Sequence, residues 1–395
     1  MQTSTLTPSA ITPDTSRTGL QILIMAVAAF VIVTTEFLIV GLLPALARDL
    51  NISVALAGQV VTLFAFTVML FGPVLTAKLA QINRKHLFTG ILLIFAGSNV
   101  LAALSSNFWV LALARFIPAL FLPVFWGTAS ETAGQLAGPS KAGKAVARVY
   151  LGISAALVFG VPLGTLAADS VGWRGSFWIL ATLCLLIGLL MHLCMPTLPS
   201  SPKRAAGDKQ TAILREPRFL AHVLLSVVAF TAMFTAYTYL ADTLESLAGI
   251  PASQVGWWLM GFGAIGMIGN QIGGSMVDKS PLGAMLLFLL ILGAGMLAAV
   301  PLAANPIGLV IALIAWGIAY TALFPVCQVR VMQAGAKAQA LAATMNISAA
   351  NAGIGLGAII GGLGIRHFGL ASLGIIATGI AALGVVIALL MLRRQ

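Results

Sequence analysis

Charge is scarce in this sequence. Of 395 residues only 10 are acidic and 21 basic, so 8% carry charge where a soluble globular chain carries about 25%. No water-soluble fold covers its surface with so few. Cysteine is nearly absent as well: Cys184, Cys194 and Cys327 all fall in or beside apolar runs, which excludes a disulfide framework. The four histidines, His86, His192, His222 and His367, are scattered near the ends of apolar runs without metal-ligand spacing, so no metal or cofactor is expected. They default to solvated or interfacial positions. What fills the chain instead is 60% hydrophobic residues and a mean hydropathy of +1.05. That is the composition of a protein dissolved in lipid, with no room for a large extramembrane domain.

Apolar runs between polar breaks predict twelve spanning helices. They cover Leu20–Leu46, Ala55–Leu79, Leu87–Leu104, Val110–Ser130, Val149–Ala168, Phe177–Leu193, Phe219–Leu240, Val255–Val277, Leu282–Leu302, Ile307–Val326, Leu341–Ile365 and Leu373–Leu392. The fold class expected is an all-α membrane protein of two six-helix bundles, residues 19–195 and 219–395. Its longest hydrophilic segment, 196–218, would join them on the cytoplasmic side. The first eighteen residues, rich in Ser, Thr and Pro, lack the order of a signal peptide and read as a cytoplasmic tail.

Loop charge sets the sidedness. With the amino terminus inside, seventeen Lys and Arg fall on the cytoplasmic side, among them Lys78, Arg84, Lys85, Arg148, Arg330 and Lys337. Arg48, Arg174 and Arg366 fall outside, and Arg115 lies within the fourth helix. That asymmetry is a positive-inside pattern, so both termini are expected in the cytoplasm and the net charge of +11 reflects topology. No basic patch with interleaved aromatics points to nucleic acid. The halves also echo each other: Ile52-Ser-Val-Ala-Leu-Ala-Gly58 and Ile250-Pro-Ala-Ser-Gln-Val-Gly256 stand 198 residues apart. Parallel six-helix repeats with a site between them are a transporter plan.

Four short patterns resemble the major facilitator superfamily, and within it the twelve-helix drug:proton antiporter branch. The first is the loop after the second helix of each half, present as Gly274-Ser-Met-Val-Asp278-Lys279 and reduced to Arg84 and Lys85 in the first copy. An acid at a helix end and nearby cations can pair in one conformation and part in another. The second is Arg115 in Leu113-Ala-Arg-Phe116. The third is Gly152, Gly160, Pro162 and Gly164 on the fifth helix, which resembles the antiporter motif. The fourth, Thr34-Thr35-Glu36-Phe37 with Phe125-Trp126, is similar to bacterial sugar and nucleoside efflux permeases. The resemblance implies a small-molecule exporter driven by protons, monomeric, in the inner membrane, and not an enzyme. A proton-linked or facilitative importer of the same fold stays open, as does an integral-membrane enzyme.

Glu36 is the sharpest residue, the one acid well inside a predicted span. A charge at a helix centre costs about 2.5–3.5 kcal/mol on insertion scales, and such residues are functional by default. Glu36 and Arg115 are therefore the expected proton-coupling pair; a structural salt bridge, or a Glu36 that only binds substrate, is the plainer alternative. Arg115 lies near the start of its helix, within reach of the outer interface. Adding 198 gives Phe234 and Leu313, so only the first half keeps these charges. Candidate substrate contacts are Glu36, Phe125, Trp126 and Tyr237, with Tyr239, Trp316 and Tyr320 as further aromatics. The amides Asn270, Gln271, Asn346 and Asn351 join them; Asn351 with Gln271 would suit a hydroxyl-rich ligand. Gly160, Pro162, Gly164, Gly274, Asp278, Lys279, Arg84 and Lys85 are the candidate gating residues. The Gly353–Gly357 run follows no strand, so it reads as helix packing and not a nucleotide loop.

Overall fold

A computed structural model describes residues 15–79, 81–138, 142–197 and 212–393, and among these it contains helices and no strand. Most of the expected tail 1–18 and linker 196–218 lies outside the described residues, as do Lys141, Lys203, Arg204, Lys209 and Arg394. Among the described residues the principal helices, in order, are α1 Thr15–Asp49, α2 Val54–Leu79, α3 Arg84–Ala103, α4 Phe108–Ala137, α5 Ala142–Ala155, α6 Val161–Cys194, α7 Pro217–Tyr237, α8 Ala252–Val277, α9 Pro281–Ala299, α10 Pro306–Ala334, α11 Gln339–Phe368 and α12 Leu373–Leu392.

By length and apolarity, ten segments among the described residues are able to cross a membrane, against the twelve expected. One of the ten, Ala145–Cys194, is 50 residues long and folds back on itself. Gly172 there has φ +73°, and the Ser176 hydroxyl donates to the Gly164 carbonyl at 2.8 Å. Twelve residues of straight helix would separate them by about 18 Å. Residues 161–171 therefore extend α5 through a π-turn, Ala156–Gly160, and 173–194 return as a separate limb. The Gly-rich α8 is 26 residues long but is not among the ten.

Helix boundaries obey local rules, and they repeat. Asn107 caps α4 by accepting from the amides of Trp109 and Val110; Asn305, 198 residues on, caps α10 from Ile307 and Gly308. Asn51 and Gly249, again 198 apart, take φ of +54° and +67° at the turns before α2 and α8. Gly172 and Gly369 share the same left-handed turn at +73° and +80°. The repeat is thus written in the punctuation of the backbone more clearly than in the apolar residues.

The first six helices pack as one bundle and the last six as another. In the first, α1 lies against α5 and α6, α2 against α4, and α3 against α4 and α6; in the second, α7 lies against α11 and α12, α8 against α10, and α9 against α10 and α12. Glycines set the closest approaches. A Cβ at Gly152 would stand 2.2 Å from the Ala26 carbonyl, and Gly160 and Gly164 face Thr34 and Leu38, so one glycine seam joins α5 to α1. Gly353, Gly357 and Gly361 do the same for α11 on α7, against the carbonyls of Val227, Thr231 and Thr235. The bundles meet through α2 with α11 and through α8 with the α5–α6 limb, an exchange-symmetric pair of contacts.

Candidate functional site

The contacts between bundles include Arg48 paired with Glu245, Gln59 with Ala358, Thr62 with Gly355, Gly256 with Leu166 and Gly263 with Leu157. Four of these sit toward the end of the molecule that carries Arg48, while Gly263 meets Leu157 at about the height of Thr34. The opposite end carries Arg84, Asp278 and Lys337. Between the two, at mid-height of α1, stands the Thr34–Phe37 segment.

Each residue of that segment points somewhere different. Thr34 bonds back to the Phe30 carbonyl at 2.7 Å and fills the notch at Gly160. Thr35 is buried and accepts from the Asn99 amide of α3 at 3.2 Å. Arg115 of α4, 1% exposed, donates to the backbone carbonyls of Thr35 at 2.5 Å and Glu36 at 2.7 Å. Its guanidinium also lies 4.7 Å from the centre of the Phe64 ring. Arg115 does not reach for the outer interface, the plainer alternative for it: it pins α1 to α4 deep in the bundle. Its bonds go to carbonyls, and the Glu36 carboxylate makes no hydrogen bond or ion pair with a described residue. Glu36 and Phe37 are half-buried on the side of α1 that faces the second bundle.

What faces them is aromatic. The Phe37 ring lies 6.2 Å from Phe234 of α7, which lies 5.7 Å from Tyr237 and 5.8 Å from Tyr320 of α10. Tyr237 packs on Tyr320 at 4.5 Å, and Phe262 of α8 and Trp316 of α10 close the cluster. Tyr320 Oη and Trp316 Nε1 are buried without a partner. The site is therefore a carboxylate on the first bundle set against a rigid aromatic wall on the second.

Other expected contacts divide. Phe125 is fully buried against Phe88 of α3, ring centres 5.6 Å apart, so it belongs to the first bundle's core and leaves the substrate list. Trp126 stacks beside Tyr150 at 5.2 Å where α4 meets α5. Gly256, Leu259 and Gly263 turn α8 toward Leu166, Gly41 and Leu157, and helical spacing puts Asn270 on that same inward side. Gln271 falls on the flank next to it, toward the lipid-facing stripe. The two amides of α11 are buried: Asn346 donates to Gln328 at 2.7 Å, while Asn351 bonds its own helix at Ile347. Each keeps an unpaired carbonyl oxygen. The Asn351–Gln271 pair suggested for a hydroxyl-rich ligand is not brought together on these faces.

The gating residues divide too. Gly160 and Gly164 serve the α1 seam, and the Pro162 carbonyl abuts Gly256 of α8. The π-turn just before Pro162 is a local loosening, as π-turns and missing amides both produce. Arg84 is not a loop cation: it is fully buried and pairs with Glu131 of α4 at 3.2 Å. Lys85, Asp278 and Lys279 form no ion pair with a described residue, and Gly274 faces open space. Glu131 is a further acid on a long helix, standing where α4 runs on past the predicted span to Ala137.

Sequence reasoning missed a buried cluster in the second bundle. Arg330, assigned to a loop, is 1% exposed in α10 and donates to His222 Nδ1 at 3.0 Å and Ser226 Oγ at 2.9 Å. His222 is therefore neither solvated nor interfacial. It missed the Arg48–Glu245 pair as well; an acid 197 residues from a basic helix end, in the other half, gives no local signal.

A family model described as Major Facilitator Superfamily matches residues 25–335. The chain belongs to that superfamily. Among major facilitator proteins it is 36% identical over 346 residues to the inner membrane transport protein YdhP of Escherichia coli (strain K12), covering 86% of this chain and 87% of that one. It is 32% identical over 355 residues to the uncharacterized MFS-type transporter YtbD of Bacillus subtilis (strain 168), covering 88% and 89%. Two solved major facilitator structures share the fold. A bacterial homologue of the human lysosomal transporter Spinster, inward-facing and unoccupied, superposes with a TM-score of 0.81 at 15% identity, covering 95% of this chain and 97% of that one. The nucleoside transporter NupG gives 0.73 at 17% identity, covering 95% and 98%. The protein is thus a multi-pass membrane protein of the transporter kind.

Proposed function

We propose that this major facilitator protein exports a small solute across the inner membrane in exchange for protons, with Glu36 as the proton-carrying group. The observation that carries the reading is the placement of Glu36: mid-span, half-buried, free of an ion pair, and turned toward the opposite bundle. An acid so placed gains or loses a proton according to which side of the membrane reaches it. Arg115, bonded to the carbonyls at Thr35 and Glu36, holds the segment in place and keeps a fixed positive charge beside the carboxylate. The name of the YdhP relative supports the inner-membrane location. Positive-inside charge puts the Arg84 end in the cytoplasm, so the contacts at the Arg48 end close the periplasmic side. The solute would sit between Glu36 and the Phe234–Tyr237–Tyr320 wall, with Asn270 lower in the same cleft. One proton moving inward yields about 2.3 kcal/mol per 100 mV, enough to sustain a gradient of roughly 50-fold.

The test is transport in proteoliposomes under an imposed pH gradient, with a panel of labelled sugars, nucleosides and hydrophobic dyes. At least one should move opposite to the protons and stop when the gradient is collapsed. Movement in the same direction as the protons would overturn export, and gradient-independent equilibration would overturn coupling.

A further inference from the structure

Tyr320 and Trp316 of the aromatic cluster each bury a polar atom that packing does not explain, and of the two only Tyr320 carries a hydroxyl. Phenolic hydroxyls buried in a protein find a partner as a rule, because an unmatched one costs about 1–3 kcal/mol. Tyr320 is 2% exposed and its Oη has no partner, although Tyr239, equally buried, donates to the Ala358 carbonyl at 2.8 Å. Its ring is fixed from four sides by Phe234, Tyr237, Phe262 and Phe324, at 4.5 to 5.8 Å between centres. The first bundle offers an acceptor nearby, the Glu36 carboxylate, which has no hydrogen bond to a described residue: its neighbour Phe37 lies 6.2 Å from Phe234, which lies 5.8 Å from Tyr320. The matching position of the first half is Leu122, so the repeat supplies no second such hydroxyl.

We propose that Tyr320 is the positioning residue that reads the proton state of Glu36 across the bundle interface. When Glu36 is a carboxylate, the Tyr320 O–H donates to it and holds the bundles together at that height. When Glu36 takes up a proton, the acceptor loses its charge and the bond weakens, freeing α10 from α1. The proton moves only on and off Glu36; Tyr320 keeps its own. The charged or titratable groups facing Glu36 are Arg115 from α4 and Tyr320 from α10, with Tyr237 of α7 stacked on the latter. Around them α2 contributes Phe64, α3 Asn99, α5 Gly160 and α8 Phe262, none of which titrates. This inference rests on Glu36 being the proton-carrying group.

Protons themselves are the probe, so no substrate is needed. Spin labels at Gln81→Cys and Ser280→Cys, both exposed at the Arg84 end, report the opening between bundles in nanodiscs, with Cys194→Ser in the background. Infrared titration follows the Glu36 carboxylic-acid band, identified by its loss in Glu36→Gln. In Tyr320→Phe the band should move to higher wavenumber and the pH midpoint of opening should move up by about one unit. Tyr237→Phe, which keeps the stacked ring, should leave both unchanged. A Tyr320→Phe protein that titrates like the wild type overturns the inference, as does an equal shift in both tyrosine variants. If Glu36→Gln still opens and closes with pH, the Glu36 reading itself has failed.

Discussion

The two bundles share a backbone and differ in chemistry. Cap for cap and turn for turn they repeat at 198 residues, as Asn107 and Asn305 or Asn51 and Gly249 do. Where the first has Glu36, Arg115 and Leu122, the second has Phe234, Leu313 and Tyr320. The first bundle carries the mid-span charges and ties Arg115 to carbonyls; the second supplies an aromatic face and buries its own cation, Arg330, against His222 and Ser226. The two halves thus share one helical framework and differ in the groups they carry at mid-span.

The two buried arginines break that comparison most sharply. Arg115→Ala removes two charge-assisted bonds, each worth about 1.5–3 kcal/mol, and frees α1 from α4. Little folded protein should survive size-exclusion chromatography, and Arg115→Lys should not restore it, because a point charge lacks the fork that spans two carbonyls. Arg330→Met removes a buried charge that has no acidic partner and replaces it with packing; its melting temperature should stay within a few degrees of wild type. An Arg330 variant as damaging as the Arg115 one would erase the distinction between the bundles.

The glycine seams test what the bundles share. Gly152→Val and Gly357→Val should each cost about 1–3 kcal/mol or more, since both place methyls against backbone carbonyls. Gly274→Ala meets nothing within 4 Å and should be silent in the same thermal-shift assay. Smallest is the contact that joins the bundles at the Arg48 end. Arg48 is 57% exposed, so Arg48→Ala should change stability by about 0.2–1 kcal/mol, and less in high salt. A large, salt-insensitive loss there would mean that the pair, and not the packing of α2 on α11, holds that end shut.

How much of this was readable beforehand follows from the physics of an apolar chain. Punctuation was legible: the polar breaks between apolar runs placed most helix ends within a few residues, although α4 and α10 run several residues farther than hydropathy suggests. Glu36 stood out because an acid in lipid is costly. Orientation was not legible, since a helix apolar all round has no polar face to say which side looks inward. That is why Phe125 and Tyr320, one pointing to the core and the other to the interface, read alike. Arg330 and Arg84 were placed in loops because they lie near the ends of apolar runs; only the fold shows that neighbouring helices cover them.

The most direct measurement compares wild type with Glu36→Gln in proteoliposomes, using whichever solute the panel identifies. Counterflow, which needs no net proton movement, should persist in the variant, while accumulation driven by a pH gradient should fall to the equilibrium level. A Glu36→Gln protein that still concentrates the solute against its gradient would contradict the assignment of the proton to the first bundle.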